Sequence, residues 1–351
     1  MRYYILTVPG IEPVTRRELE TSFRGARRFD AAPGRLIFDY PHSPADLLRL
    51  GTAEDVFALI ADGAIDSSRR GLRQAYALVR KSPLLRQALK AHRGVVGRTP
   101  RRKTFRVVAQ RNAGDSAYRR IDLQREVSKA LASALPAWRN VDENAQCEFW
   151  VLQDRDKFLC GMRLSDRSMR HRDYKKVNVP ASLRPVVARG MVMMSEPHPR
   201  DVFLDPMCGA GTIPIERGRD SPYRHLLGGD IDRAAIAATR ANVGPRYKPI
   251  SIMRWDARRL PLPAGSVHKI VCNLPFGRKS GAFDEPNLYS TFLGETTRAL
   301  KWDGIAVLLT SRERLLSRFL GERTQLTLES MRRIRVLGHR ATIFKIRRNR
   351  A

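Results

Sequence analysis

The sequence has few cysteines and no long apolar run. Its four cysteines, at positions 147, 160, 208 and 272, form neither a Cys-x-x-Cys pair nor a zinc-type Cys/His spacing, so we expect no disulfide framework and no metal site. The opening, Met1 to Gly10, is too short in apolar residues for a signal peptide, and no later run approaches the length of a membrane span. These absences predict a cytoplasmic protein that does not cross a membrane.

Acidic residues are also scarce. Only 35 Asp and Glu stand against 65 Lys and Arg, which gives a formal net charge of +30. The basic excess is concentrated in three stretches, Arg69 to Lys103, Arg163 to Lys176 and Arg332 to Arg350. Such clusters neutralise phosphates and release counterions, which favours a nucleic acid over a small anion as partner. A genome rich in arginine codons is the alternative explanation.

Two groups within these stretches are the candidates for phosphate contact. They are Arg98, Arg101, Arg102 and Lys103 in the first stretch, and Arg172, Lys175 and Lys176 in the second. Each side chain alone could equally well remain solvated, so the prediction applies to the clusters.

Residues 1 to about 165 mix short strands with helices. The patterns predict a strand over Tyr3 to Val8, a helix over Ala45 to Leu59, one or two helices from Leu72 to Leu89 interrupted near Pro83, and a hairpin from Cys147 to Leu164. We predict an N-terminal piece at 1–60, a second α+β module at 61–165 and a basic linker at 166–180.

From Asp201 onward, short apolar strands alternate with helices, and the chain ends in a hairpin pattern over Arg332 to Ile346. This alternation is typical of an α/β domain with a mostly parallel sheet and helices on both faces. For residues 181–351 we therefore predict a Rossmann-like domain whose sheet ends in an antiparallel edge hairpin.

The most informative segment is Val202 to Thr212, an apolar strand followed by a Gly-x-Gly turn that opens a helix. Ligands bind at such carboxyl ends of parallel strands, and glycines let the backbone approach them closely. A pyrophosphate site would have a third glycine where Pro214 and Ile215 stand, so we disfavour one. The predicted cofactor-binding residues of this segment are Asp205, Pro206, Cys208, Gly209, Gly211 and Thr212.

Asp230 and Asp256 follow the next two predicted strands. The Asp230 carboxylate can accept hydrogen bonds from both hydroxyls of a ribose, and Asp256 can accept one from an adenine amino group. Singly, each is better explained as a helix cap or turn residue. Together, at successive strand ends, they predict an adenosine-sized slot, and we include the adjacent Ile231 and Ala257 in it.

The segment Asn273-Leu274-Pro275-Phe276-Gly277 follows the fourth strand. An ordinary turn is the alternative, but the aromatic residue beside the predicted slot argues against it. An exocyclic amino nitrogen of guanine or adenine is a poor nucleophile because its lone pair is delocalised into the ring. The Asn273 oxygen and a backbone carbonyl near Leu274 or Pro275 could accept both amino hydrogens, while Phe276 stacks on the base. Asn273 is also assigned to cofactor binding.

The stretch Asp205 to Glu216, together with Asn273 to Gly277, resembles the THUMP-domain RNA guanine-N2 methyltransferases. The resemblance implies S-adenosylmethionine as cofactor, a ferredoxin-like piece at the N-terminus, a THUMP module at 61–165 that recognises tRNA, and a class I methyltransferase domain with a seven-stranded sheet. The segment Arg172 to Arg189 is similar to the family's stretch that closes over the cofactor, which adds Ser182 and Leu183 to the cofactor-binding set.

The Asn-Leu-Pro form, with Leu274 where other relatives often have proline, resembles the enzymes that act on guanine 6 of the tRNA acceptor stem. The expected product is N2-methylguanosine in tRNA, and the expected partner is the acceptor stem and 3′ end, with a small accessory protein left open. The alternatives are a guanine-N2 methyltransferase on ribosomal or other RNA, an N6-adenine methyltransferase, and an RNA-binding protein whose methyltransferase domain is vestigial.

Overall fold

A computed structural model describes residues 1–97, 102–112, 116–180, 182–275, 284–336 and 338–350. The chain divides into two compact units, which we call the N-terminal unit and the C-terminal unit. The N-terminal unit comprises Met1–Leu6 and Leu19–Met169, and the C-terminal unit comprises Thr7–Glu18 and Arg170–Ala351.

The N-terminal unit is built on one mixed sheet. Its strands are β1 Arg2–Leu6, β2 Arg27–Ala32, β3 Arg35–Asp39, β4 Asp55–Ala64, β5 Thr104–Arg111, β6 Arg139–Asn140, β7 Cys147–Asp154 and β8 Lys157–Arg163. Its helices are α2 Arg70–Arg80, α3 Leu85–Val96 and α4 Arg120–Ala134, and helix α1 Glu12–Ser22 begins in the C-terminal unit and ends in this one. The strand order is β2-β3-β1-β4-β8-β7-β5-β6, and only the pairs that β5 makes with β6 and β7 are parallel.

The helix predicted over Ala45 to Leu59 is wrong. A short 3-10 helix, Asp46–Arg49, is followed by β4, whose first seven residues are all buried. Strand β4 lies between β1 and β8 with both faces covered, so its sequence reads as a continuous apolar run instead of an alternation. The predicted break near Pro83 is confirmed, since it separates α2 from α3. Strand β4 also runs through the predicted boundary at residue 60, which stays a prediction.

The C-terminal unit holds the second sheet. Its strands are β9 Val202–Asp205, β10 His225–Asp230, β11 Ile250–Arg254, β12 Val267–Asn273, β13 Leu300–Thr310, β14 Leu326–Val336 and β15 His339–Arg348. Its helices are α6 Pro185–Met194, α7 Thr212–Asp220, α8 Arg233–Val243, α9 Glu285–Ala299 and α10 Glu313–Gly321, and a short helix α5 Arg167–His171 spans the boundary. The order is β11-β10-β9-β12-β13-β15-β14, parallel up to β13 and antiparallel beyond it. The predicted fold class is confirmed.

Alternate residues of β12 enter two different cores. Ile270 and Cys272 pack with α9 and α10, whereas Val271 packs with α6 and with apolar side chains of residues 7–18. Both faces of the sheet are therefore covered, as its apolar strands predict. In the described residues, no helix has the length and apolar content that a membrane crossing requires.

The segment predicted as a basic linker, 166–180, is partly buried. Tyr174 is almost fully enclosed, and its hydroxyl donates a hydrogen bond to Glu216 Oε1 at 2.6 Å. Residues 7–18 also belong to the C-terminal unit, where the amide of Arg335 donates to the carbonyl oxygen of Pro9 at 3.1 Å. The chain thus passes between the two units more than once, a connection that local patterns did not reveal.

Candidate active site

The turn after β9 contains Gly209, where the absence of a side chain leaves space beside the backbone. Gly209 has φ +52°, and its amide donates to Asp230 Oδ2 at 2.9 Å. A Cβ built on Gly209 would have a single neighbour within 4 Å, Val179 Cγ2 at 3.7 Å. The peptide at Gly209 can therefore contact a ligand directly, as its glycine predicts.

Gly211 has a different role from the predicted one. It has φ +78°, and a Cβ at this position would lie 2.8 Å from Thr239 Cγ2. Gly211 is buried and does not line the cavity, so it is required for the packing of α7 against α8 and is removed from the cofactor-binding set.

A cavity of about 460 Å³ opens at the carboxyl ends of β9 to β12. It is lined by twelve of the residues predicted to bind the cofactor and by Pro275, predicted to contact the substrate; the twelve are Ser182, Leu183, Asp205, Pro206, Cys208, Gly209, Thr212, Asp230, Ile231, Asp256, Ala257 and Asn273. Phe276, the predicted stacking residue, lies outside the described residues. The sequence prediction and the cavity therefore coincide at all four strand ends.

The carboxyl groups of Asp205 and Asp230 belong to two residues that line the cavity. Asp205 is 1% exposed, and burial raises the pKa of its carboxyl well above the ordinary value, with the nearby Asp230 adding to the rise. Asp230 is half-buried, and its carboxylate accepts hydrogen bonds from the amides of Gly209 and Asp232 at 2.9 and 3.0 Å. Two backbone amides thus fix the orientation of the Asp230 carboxylate.

Asp256 lines the cavity but already has a partner. The Arg258 guanidinium lies across its carboxylate, with Nε at 3.1 and 3.0 Å from the two oxygens, and the Arg258 amide donates to Oδ1 at 2.9 Å. Hydrogen bonds from the Arg258 side chain lower the pKa of Asp256. The predicted contact with an adenine amino group would therefore share this carboxylate with Arg258.

Asn273 carries an unused acceptor. Its Oδ1 atom is buried and has no hydrogen-bond partner in the described residues, although Asn273 lines the cavity. The Oγ atom of Ser182, another residue that lines the cavity, is also buried and has no hydrogen-bond partner in the described residues. Buried polar atoms almost always have partners, and these two belong to residues that line one cavity, so they are the atoms that a bound ligand would complete.

The backbone beside Asn273 is held on both sides. Leu274 is fully buried, and its amide donates to the carbonyl oxygen of Leu309 at 2.9 Å. The Tyr289 hydroxyl donates to the carbonyl oxygen of Pro275 at 3.2 Å and contacts Thr310 Oγ1 at 2.7 Å. Of the two carbonyls considered from the sequence, the one of Pro275 is favoured, because Leu274 does not line the cavity.

The cavity also contains residues that sequence reasoning missed: Val179, Pro180, Met207, Ala210, Ile213, Arg258, Asp284 and Leu288. Most are apolar neighbours that no pattern distinguishes. Asp284 did have a signal, since Asp followed two residues later by Pro286 is typical of a helix start. That signal locates a helix end and reveals nothing about a cavity.

The cavity holds one cysteine, Cys208, which is unsuited to act as a nucleophile. Burial raises the pKa of its thiol, and Cys272 on β12 is fully buried with a raised pKa as well. Because the thiolate is the reactive form, neither side chain supports covalent catalysis.

The predicted phosphate contacts separate into three groups. Arg102, Lys103 and Lys176 are exposed, as a phosphate contact requires. The prediction that Arg172 contacts a phosphate is wrong, because its side chain is 7% exposed and pairs with Glu216 at 3.5 Å. Lys175 is half-buried, and its ammonium donates to the Leu183 carbonyl oxygen at 2.9 Å, so it too is withdrawn as a phosphate contact. Arg98 and Arg101 lie outside the described residues.

The C-terminal unit matches a known family. Residues 172–341 match the model of the family UPF0020, described as RMKL-like, methyltransferase domain. This range contains Asp205 to Glu216 and Asn273 to Gly277, the two segments that carry the resemblance, and the match confirms that resemblance.

Two curated relatives and one solved structure extend the comparison. The chain is 29% identical over 231 residues to "tRNA (guanine(6)-N(2))-methyltransferase THUMP3" of Bos taurus, covering 62% of this chain and 45% of that protein. It is 31% identical over 223 residues to "tRNA (guanine(6)-N2)-methyltransferase" of Thermus thermophilus, covering 62% and 65%. The crystal structure of TrmN from Thermus thermophilus superposes with a TM-score of 0.77 at 24% identity over 99% of each chain, which shows a shared fold. The matched part spans about half the length of the mammalian relative.

Proposed function

We propose that this chain, whose residues 172–341 match the RMKL-like methyltransferase domain, transfers a methyl group from S-adenosylmethionine to the N2 nitrogen of a guanine in tRNA. The observation that carries the proposal is the buried, unpartnered Oδ1 of Asn273 on the wall of a cavity that also contains the Gly209 turn. An exocyclic amine is the chemical group that such an acceptor would complete.

The residues present fit the cofactor. Gly209 leaves its peptide open, and Asp230 holds a carboxylate at the end of β10, where it can accept both ribose hydroxyls. Ile231, 56% exposed at the cavity wall, offers an apolar surface for the adenine ring. Held by these residues, S-adenosylmethionine would supply an electrophilic methyl group for the base nitrogen.

The protein contributes orientation. Asn273 Oδ1 accepts one amino hydrogen and the Pro275 carbonyl accepts the other, which directs the nitrogen lone pair away from the ring plane. The Pro275 oxygen has a second lone pair available beside the hydrogen bond from Tyr289. The predicted stacking of Phe276 on the splayed base belongs to the same proposal.

The RNA substrate is inferred from charge and from the relatives. Arg102, Lys103 and Lys176 are exposed cations in a chain of net charge +30, and the curated relatives that match here are named as tRNA enzymes acting on guanine 6. We propose guanine 6 of the acceptor stem as the target, and residues 61–165, assigned as the THUMP module, as the part that recognises the tRNA end.

Incubation of the full chain with labelled S-adenosylmethionine and unmodified tRNA transcripts, followed by digestion to nucleosides, tests the proposal. N2-methylguanosine mapped to the acceptor stem is the expected product. N6-methyladenosine, or no transfer to tRNA by protein that binds the cofactor, would refute it.

Replacing Arg102, Lys103 and Lys176 together by Ala should lower the salt dependence of tRNA binding. The slope of log K against log salt concentration should decrease in magnitude by about 0.9 for each phosphate that these side chains neutralise.

A further inference from the structure

We infer that Asp284 selects the base: its carboxylate accepts a hydrogen bond from the ring N1–H of guanine and so excludes adenine. The inference rests on the proposed methyl transfer to RNA and assigns a specificity-determining residue to the same cavity. Asn273 Oδ1 and the Pro275 carbonyl oxygen could accept hydrogen bonds from guanine N2 or from adenine N6. A further group is therefore needed to distinguish the two bases.

Asp284 lines the same cavity as the proposed acceptors of the amino group. It precedes α9 and lines the cavity together with Leu288, one helical turn later, and with Asn273 and Pro275 of the catalytic loop. The Tyr289 hydroxyl, 3.2 Å from the Pro275 oxygen, ties α9 to this loop. Asp284 and Asn273 therefore share one cavity wall, and we assign the Asp284 carboxylate to the ring edge beside the amino group that Asn273 would hold.

The carboxylate is available to a ligand. Asp284 is exposed, and its Oδ1 caps α9 by accepting the Asn287 amide at 3.1 Å. In the part of the chain that the structure describes, no Lys or Arg forms an ion pair with it, whereas the next residue, Glu285, pairs with Arg312 at 2.8 Å. The second carboxylate oxygen of Asp284 therefore keeps its lone pairs for a donor in the cavity.

The two purines differ at the position that this oxygen would reach. Guanine carries a donor at N1 beside its amino group, whereas adenine carries a lone pair at N1 beside its amino group. A carboxylate accepts from the first and repels the second. A site built around such a hydrogen bond rejects an analogue that lacks the donor, because the carboxylate then faces the lone pair of the ring nitrogen.

The test uses tRNA transcripts that carry guanine or 2-aminopurine at the methylated position. 2-Aminopurine keeps the 2-amino group but lacks both the N1–H and the O6 oxygen, so the change in preference caused by substituting Asp284 is the quantity that reports on N1–H. The wild-type protein should prefer guanine by about 10- to 100-fold in kcat/KM, as expected for a hydrogen bond to a charged group. In Asp284→Asn, the side-chain oxygen still caps α9 and the NH₂ group faces the base, so the preference should vanish or reverse.

Asp232→Asn is the matched control. Asp232 is also an exposed helix cap, accepting the Ala234 amide at 2.8 Å, and it does not line the cavity. This variant should keep the wild-type preference. Thermal melting of Asp284→Asn and of a second variant, Asp284→Ser, which also retains a capping oxygen, verifies that α9 is intact.

The outcomes separate the two proposals. If the wild type methylates guanine and Asp284→Asn keeps the full preference over 2-aminopurine, the inference about Asp284 is overturned while the methyltransferase proposal stands. Loss of the preference in Asp232→Asn would overturn it too, because the effect would not be local. If the wild type methylates neither transcript, the proposed function fails and this inference fails with it.

Discussion

The two ends of the cavity satisfy their polar groups in different ways. At the cofactor end, the carboxylates already have partners: backbone amides hold Asp230, and Arg258 holds Asp256. At the proposed substrate end, Asn273 Oδ1 has no hydrogen-bond partner in the described residues. Within the same residues, the Asp284 carboxylate accepts only the hydrogen bond from the Asn287 amide that caps α9. The carboxylates proposed to hold the cofactor are thus oriented by the protein itself, whereas Asn273 Oδ1, like Ser182 Oγ, would be completed by a ligand. Binding and turnover should therefore respond to different substitutions.

The largest effect is expected at the substrate end. Asn273→Ala should lower kcat by about 10²- to 10³-fold, the cost typical of removing one preorganised hydrogen-bonding group at a reaction centre. The cofactor dissociation constant should change by less than about 3-fold, since the ribose and adenine contacts remain. Single-turnover kinetics and calorimetry measure the two quantities. Equal changes in both would contradict the separation of the two ends, and Asn349→Ala, at a half-buried residue that does not line the cavity, is the control.

The second effect belongs to the cofactor end. Asp230→Ala removes the acceptor of the Gly209 and Asp232 amides and of the ribose hydroxyls, so cofactor affinity should fall by about 10- to 100-fold. At saturating cofactor, kcat should stay within about 3-fold of the wild type. A decrease in kcat as large as that of Asn273→Ala would show that the turn after β9 also positions the base.

A third change tests what holds the substrate end in place. Tyr289→Phe removes the hydroxyl that donates to the Pro275 oxygen, and kcat should fall by about 3- to 10-fold with cofactor affinity unchanged. Burial raises the pKa of Tyr289 to about 12, so its hydroxyl stays protonated and this contribution should not vary with pH near neutrality. Tyr223→Phe removes a hydroxyl that donates to a carbonyl elsewhere in this unit and should leave kcat unchanged.

The cofactor end was the more predictable of the two. Glycines and acidic residues at successive strand ends are local signals, and they located Gly209, Asp230 and Asp256 on the cavity wall. Gly211 was misassigned because a glycine required for packing against Thr239 has the same sequence signal as one that faces a ligand.

The same limit explains the errors in the fold and in the basic cluster. Strand β4 was mistaken for a helix because a strand buried on both faces has no alternation. Arg172 was counted with exposed cations because its partner, Glu216, lies 44 positions away in sequence. Local patterns identify elements and strand-end motifs, whereas long-range pairing decides which charges are free.

The smallest effect is expected for Arg258→Ala. The guanidinium contacts Asp256 with 47% of the Arg258 side chain accessible, and solvent screens such exposed pairs, so the pair should contribute little. The Arg258 amide still donates to Asp256 Oδ1 at 2.9 Å after the substitution, so the carboxylate keeps its orientation. Cofactor affinity should therefore change by less than about 3-fold, and by less still at high salt. A decrease above about 10-fold would mean that Arg258 contacts the cofactor itself, and the cofactor end would then depend on an open group just as the substrate end does.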